Sequence, residues 1–599
     1  MINLVVHATH EAGLKVGGIG AVLDGLLGST NYNQSVERTV LIGTFNRYDS
    51  MTVERLLSPR NKLTVIHAPV FGVNKAEPAL TAVLSAVESD YGVALLYGKR
   101  TFGRAEHEVI LIDSIHAKEG PVNDFKYFLW QHYGIDSGKF DYDPEFKDFV
   151  RSAPASYAAL RSLVGPGDGA PGKQDNNRFI LAHEWMGLPL AFAAQLADPW
   201  DWRTVFYAHE TATARNVVEF DGGHDTRFYN AMWTAPYYNA TMDSVFGSRD
   251  DFYKHALLKQ TLRCDNIFAV GDLVVEELRF LGGMFRGANI DLVYNGVPSF
   301  PLSLDEKLVS KARLQSYAEN LLGYRPDYVF THVTRLVLSK AMWRDIRVAE
   351  HLDWLLAEQG KTAVLYMLTT TLPAGRRSED VMRWEEEYGW PVHHRTGNGD
   401  LVDLEVSLYN SIAGFNWGSR ALKIVLVNQF GWSQDRCGGR MPADMEFMDI
   451  RRGSDLEFGQ SIYEPFGIAQ VEPLSFGALC VVSNVCGCIG FAQRALEKTR
   501  EEVELADFSN IVVANYTSLP PGWQVFSPWD ALNIGTAQRS QIESYNSAYV
   551  ARQIMERLPR DAADMQALLT AGQEVGKRMS WEVVVSDYLL PGLANATRR

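Results

Sequence analysis

Two glutamates eight positions apart, Glu464 and Glu472, frame the segment SIYEPFGIAQVEPLSFGALCVVSN in a chain of 599 residues. Pro465 favours a helix starting just after Glu464. A helix from there sets Glu472 about two turns on, close to an apolar run at 479–485. One carboxylate at the mouth of such a helix can face a binding cleft, and the other can accept both hydroxyls of a ribose. A lone E-x7-E spacing carries no information. The same spacing with Pro465, Gly467 and Gly477 around it and a strand behind it does.

Cations stand at two other loop positions. TRLVLSKAMWRD sets Arg335 and Lys340 five residues apart at the end of an apolar run. Two fixed positive charges at a strand-to-helix loop suit a diphosphate that no metal neutralises. The alternative is a pair of solvated surface charges. Near the start, HATHEAGLKVGGIGAVLDGLL places Lys15, Gly17 and Gly18 between a first strand and a first helix. Glycines there let backbone amides approach an anion, with the helix terminus and Lys15 adding positive charge. A plain tight turn explains the same residues. The loop is not a dinucleotide fingerprint, since G-x-G-x-x-G is absent.

The elements that must carry these loops are legible as Val/Ile-rich runs separated by helix-period stretches. Runs at 2–6, 39–42, 108–113, 178–184, 204–210, 266–272 and 291–296 form one series. A second series lies at 328–336, 362–369, 424–429, 479–485 and 510–516. Nearly continuous apolar runs are what strands buried on both faces of a parallel sheet require. Helical periodicity appears at 152–164, 272–283 and 345–360, and this alternation predicts doubly wound α/β units. The segment 298–313, with two prolines and a charge-rich helix start, separates the series. The expectation is two Rossmann-like domains facing a central cleft, with insertions at 220–260 and 430–458.

Hydrophobic residues make up 46% and charged residues 22% of the chain, the profile of a globular protein. Fifty-seven Lys and Arg against 72 Asp and Glu give a net charge of −15, which argues against a nucleic-acid partner. No apolar run reaches the ~18–20 residues of a membrane helix and no secretory segment is visible, so no membrane partner is expected. The five cysteines, Cys264, Cys437, Cys480, Cys486 and Cys488, form no C-x-x-C pair and read as structural thiols in a reducing cytoplasm. His393 and His394 lack a carboxylate at helical spacing and read as loop polarity rather than metal ligands. His7 and His10 flank the first strand, as cleft-lining or core histidines. The aromatics of 228–246 fit glucan stacking and packing equally.

Taken together, these motifs resemble a family. The Glu464…Glu472…Gly477 segment is similar to the E-x7-E signature of retaining GT-B glycosyltransferases. Lys15-Val16-Gly17-Gly18 with Glu11 resembles the K-x-G-G loop of glycogen and starch synthases, and the spelling leans toward the eukaryotic and archaeal glycogen-synthase branch. Arg335 and Lys340 match the pair that holds the donor diphosphate. His183-Glu184-Trp185 resembles the family's H-[DE]-W motif, and TVFYAHETATAR resembles the stretch whose histidine, here His209, lies beside the donor sugar. Trp581 and Tyr588 resemble positions on a last helix that returns to the N-terminal domain.

The resemblance implies a GT-B architecture with an acceptor-side domain at 1–300, a donor-side domain at 301–575 and a returning helix at 576–599. It implies a retaining hexosyltransferase moving glucose from UDP- or ADP-glucose to an α-glucan such as glycogen. A different glycan or small-molecule acceptor, or a non-catalytic glucan-binding scaffold, is the alternative. Glu464, His209 and Glu184 would be catalytic. Arg335, Lys340, Lys15, Gly17, Gly18 and Gly467 would hold the diphosphate, and Glu472 the ribose. No metal and no cofactor is implied, and a homo-oligomer is left open. NVCGCIG at 484–490 departs from the family's Gly-Gly pair, so Gly487 carries over only in part.

Overall fold

The computed structural model describes residues 1–167, 177–220, 224–497 and 510–597. Residues 221–223 of the expected insertion and 598–599 of the expected last helix lie outside them. The chain divides into two compact units, each discontinuous in sequence. The first comprises 1–213, 241–296 and 581–599; the second comprises 214–240 and 297–580.

The first unit is built on a ten-stranded sheet. Its strands are β1 (Ile2–Ala8), β2 (Val36–Thr44), β3 (Leu63–Ala68), β4 (Val73–Asn74), β5 (Ala94–Phe102), β6 (Ala105–Asp113), β7 (Arg178–His183), β8 (Arg203–Ala208), β9 (Asn266–Ala269) and β10 (Ile290–Leu292). Their order is β10-β9-β8-β7-β1-β2-β6-β5-β3-β4. Everything from β10 to β6 pairs in parallel, whereas β6, β5, β3 and β4 pair antiparallel. Residues Leu4, Val5, Val6 and His7 of β1 are consecutively buried, so both faces are covered. The helix Glu184–Ala197 lies directly on the strands: a Cβ at Gly187 would stand 2.6 Å from the Ala8 carbonyl oxygen. Trp581 fills the space left by two glycines of this unit, Gly25 and Gly296, where added Cβ atoms would meet its ring at 1.9 and 2.5 Å. Beside it, the Glu582 carboxylate accepts from Ser29 Oγ at 2.7 Å and from the amides of Thr30 and Asn31 at 2.8 and 2.9 Å.

The second unit has six strands, all parallel, in the order β13-β12-β11-β14-β15-β16. These are β11 (Tyr328–Val333), β12 (Ala363–Leu368), β13 (Leu422–Val427), β14 (Leu456–Gly459), β15 (Leu479–Ser483) and β16 (Ile511–Ala514). Alternation along the strands splits their side chains between two cores. Phe330, Leu365, Met367, Ile424 and Leu426 face the helices Met342–Glu358, Leu404–Gly418 and Thr536–Arg557. Val329, Val364, Tyr366, Val425 and Val427 face Leu304–Leu322 and Ser378–Tyr388. That is the doubly wound arrangement, with one helical layer on each side of the sheet.

The stretch expected as one insertion at 220–260 is divided: 214–240 joins the second unit and 241–260 the first. The physical reason is a buried ionic junction. Arg344, fully buried, donates to Asp225 at 2.8 Å and to Glu543 at 2.9 Å, and stacks 4.0 Å from the Tyr516 ring centroid. Thr226 Oγ1 donates to the Tyr516 carbonyl at 2.6 Å, and Asn230 donates to that of Thr517 at 2.8 Å. Four sequence-distant segments are tied here, and no local pattern announces it.

Candidate functional site

Neighbouring parallel strands deliver their carboxyl-end loops side by side. In the second unit β11 and β14 are neighbours, in register at Phe330–Leu456 and Thr331–Glu457. The loop after β11 carries Arg335 and ends in the short 3₁₀ turn Leu338–Lys340. The loop after β14 carries Ser461 to Gly467, and the Ile462 amide donates to the Ser339 carbonyl at 2.8 Å, joining the two. Across this junction Lys340 Nζ donates to the Glu464 carboxylate, whose Oε2 also accepts from Gln470 Nε2 at 2.7 Å. Both charged side chains are mostly buried, at 15% and 12% exposure. Arg335 is exposed and makes no ion pair among the described residues. Lys340 is thus not an idle cation: Glu464 balances it.

The backbone around Glu464 is held by the loop after β15. Gly487 donates its amide to the Glu464 carbonyl at 3.0 Å, and Cys488 donates to that of Phe466 at 2.9 Å. A Cβ at Gly487 would lie 1.8 Å from the Pro465 carbonyl oxygen, so only glycine permits this approach. Gly467 sits at φ +91°, in the left-handed region, with Cys486 Sγ and Gln470 Oε1 each 2.8 Å from where a Cβ would be. That turn moves the helix start: the α-helical piece is Ile468–Val471, one turn long, followed by a 3₁₀ turn from Glu472. The expected two-turn helix beginning just after Glu464 is therefore corrected.

Glu472 is not an isolated carboxylate. Arg451, fully buried, donates from Nε to Glu472 at 3.0 Å, pairs with Glu457 at 3.1 Å, and donates from Nη2 to the Ala469 carbonyl. Arg451 fixes one carboxylate oxygen of Glu472, and among the described residues no hydrogen bond engages the other. Nothing in the sequence pointed to Arg451, which lies in the stretch 430–458 where the strand–helix pattern breaks. Cys486 and Cys488 approach at 3.3 Å between sulfurs; both are buried, and the hydrogen bond with Cys486, with burial second, raises the Cys488 thiol well above its ordinary range. They pack as thiols.

In the first unit β7, β1 and β2 are neighbours, as are β7 and β8. The loop after β1 differs from expectation. Glu11, buried, accepts the amides of Val16 and Gly17, each at 2.6 Å, on one oxygen. The Gly17 amide expected to cradle an external anion is thus already committed to an internal one. Lys15 is exposed and pairs with Asp24 at 2.9 Å, while Gly18 opens the helix Gly18–Gly28.

His183 ends β7, and Glu184 begins the next helix at φ +61°, a conformation that costs a non-glycine residue free energy. There Glu184 Oε1 accepts the His209 amide at 2.5 Å and the Glu210 amide at 2.8 Å. Burial, with the Glu210 charge second, pushes the Glu184 carboxyl well above the usual range. His209, half-buried just after β8, joins a row of rings. His209 Nε2 lies 2.8 Å from His183 Nδ1, and His183 Nε2 lies 2.8 Å from His7 Nδ1. His7 Nε2 lies 3.0 Å from Tyr32 Oη, which is 3.0 Å from Thr39 Oγ1. His7 is therefore a bonded interior histidine. His394 is another, between Asp400 and the Leu426 carbonyl at 2.9 Å each.

The described residues offer one grouping at metal-ligating distance, Asp243, Asp250 and His255. Lys259 stands 2.9 Å from both of its carboxylates, so a lysine already supplies the positive charge there. Among the described residues no helix is long and apolar enough to cross a membrane.

No protein-family model matches the chain, and no curated protein sequence matches it significantly. Solved structures similar to it include trehalose-6-phosphate from E. coli bound with UDP-2-fluoro glucose, at 12% identity, 99% and 98% coverage of the two chains and a TM-score of 0.48. A UDP-forming alpha,alpha-trehalose-phosphate synthase from Burkholderia vietnamiensis gives 13%, 100% and 98%, and 0.48. The catalytic domain of starch synthase IV from Arabidopsis thaliana, bound to ADP and acarbose, gives 13%, 100% and 100%, and 0.49.

Proposed function

We propose that the protein is a retaining GT-B hexosyltransferase that moves glucose from UDP- or ADP-glucose to an α-glucan or a related glycan acceptor. The observation that carries this reading is the junction of the β11 and β14 loops, where Lys340 and Gln470 both donate to the Glu464 carboxylate and the β11 loop also carries Arg335. In a transfer of this kind negative charge grows on the departing diphosphate while the anomeric carbon becomes cationic. Arg335 and Lys340 would take the growing phosphate charge, the largest stabilising contribution such a site can make. Lys340 then exchanges Glu464 for phosphate, and Glu464 is released to hold sugar hydroxyls next to the cationic centre. The second oxygen of Glu472, oriented by Arg451, would accept from the ribose.

The departing phosphate oxygen would take the acceptor proton, so no second carboxylate at glycosidase spacing is required. From the first unit, the resemblance assigns His209 to the sugar and Lys15 and Gly18 to the phosphates. Glu184, holding the His209 and Glu210 amides, would act through that turn. No metal and no cofactor enters the scheme, and UDP- or ADP-glucose and the glycan are the partners.

Purified protein incubated with labelled UDP-glucose and ADP-glucose, with and without glycogen or maltooligosaccharides, tests the proposal. Label appearing in a glycan with the α-configuration kept, and lost in Glu464→Ala with folding intact, is the expected result. An inverted product, free glucose alone, or undiminished transfer by Glu464→Ala would overturn it.

A further inference from the structure

The row of rings in the first unit has a direction. A neutral imidazole carries one N–H and one lone pair, so a ring bonded through both nitrogens must donate on one side and accept on the other. His7 and His183 are both bonded on both sides, at 2.8 to 3.0 Å, and both are fully buried. The three rings and Tyr32 therefore share one sense of donation, and the end of the chain sets it. Thr39 is buried, and its hydroxyl has Tyr32 Oη as its partner among the described residues. Were Thr39 the acceptor, its own hydroxyl hydrogen would be buried without a partner, a costly arrangement. Thr39 thus donates to Tyr32.

The phenol, a stronger acid than a neutral imidazole N–H, donates to His7 Nε2. His7 Nδ1–H then donates to His183 Nε2, and His183 Nδ1–H to His209 Nε2. With Nε2 occupied as an acceptor, the His209 hydrogen must sit on Nδ1, the one ring nitrogen no described residue engages.

We propose that Tyr32, His7 and His183 are positioning residues that lock His209 as a neutral hydrogen-bond donor, offering Nδ1–H to a hydroxyl oxygen of a bound sugar. The sugar as ligand rests on the function proposed above; the locked tautomer does not. Burial holds the ring pKa of His7 and of His209 down to about 3, and drives His183 well below its ordinary value, so all three are neutral near pH 7. The titratable groups around them include His10 and His107, whose charges lower the row further, and Glu184 and Glu210 at the His209 turn. The Tyr207 ring stacks on His209 at 4.6 Å between centroids, and Glu184 pins the His209 amide, so ring and backbone are both held.

The test is nitrogen NMR of the full-length protein carrying ¹⁵N-histidine, with His209 assigned by its loss in His209→Gln. The parent is expected to show a protonated Nδ1 and a bare Nε2 at His209, and the reverse tautomer overturns the proposal whatever the activity. Tyr32→Phe, which keeps the ring and removes the hydroxyl, should mix or invert that tautomer. It should also lower transfer by about tenfold, the scale of one lost hydrogen bond, with the melting transition retained. An unchanged tautomer in a folded Tyr32→Phe protein likewise overturns it. A parent with the expected tautomer but no transfer would sink the functional reading alone.

Discussion

Arg451 shows how a single buried guanidinium can decide what a carboxylate is able to do. It neutralises Glu457 inside the sheet and holds Glu472 at the surface, so its removal strands two acids at once. Arg451→Ala should destabilise the second unit by about 3–5 kcal/mol, measured by urea denaturation, because an unpaired buried charge remains. Adding Glu457→Gln to it should recover part of the loss.

His7 makes a pH prediction of definite sign. Its folded pKa, about 3, lies below the ordinary 6.5, so the unfolded chain binds the extra proton. The stability it contributes is complete above about pH 6.5 and is lost as pH falls toward 3, at about 1.4 kcal/mol per pH unit. Glu184, raised, acts in the opposite sense above its ordinary value of 4.5, losing stability as pH rises. Comparing the parent with His7→Gln cancels Glu184: the stability difference should shrink between pH 7 and pH 5, and a flat difference would rule out a neutral buried His7.

At the level of elements, the loop Glu464–Gly467 is shaped by contacts that admit no side chain at two glycines. Gly467→Ala forces a β-carbon into the left-handed region and against Cys486, which should cost about 1–3 kcal/mol. Gly487→Ala must displace the Pro465 carbonyl, and with it Glu464. Both variants should therefore lose transfer activity well beyond what their melting temperatures explain, measured as kcat at a temperature where each remains folded. The strand β14 shows why some elements escape the sequence. Its four residues LEFG are short and contain Glu457, so no apolar run marks them, yet they occupy the middle of the sheet. Likewise β3, β4 and β5 lie at an antiparallel edge where alternation is weak.

For the molecule as a whole, chain order and structural unit part company at two places, 214–240 and 581–597. Arg344 binds the first of these through Asp225, and Arg344→Ala should destabilise the second unit by about 3–5 kcal/mol and expose 214–240 to limited proteolysis. Unchanged protease resistance would mean that the backbone bonds of Thr226 and Asn230 suffice.

What the amino-acid order determined by itself was local: a strand where Val and Ile run on, a turn where glycine and proline interrupt, and hence an alternating α/β chain with Arg335 and Lys340 at a strand end and Glu464 at a turn marked by Pro465 and Gly467. Each of these depends on neighbours within a few residues. Tertiary structure alone decided the pairings: Lys340 with Glu464, Glu472 with Arg451, Gly17 with Glu11, His209 with His183 and His7. These partners lie up to 176 residues apart, and burial, which removes competing water, is what makes one choice win.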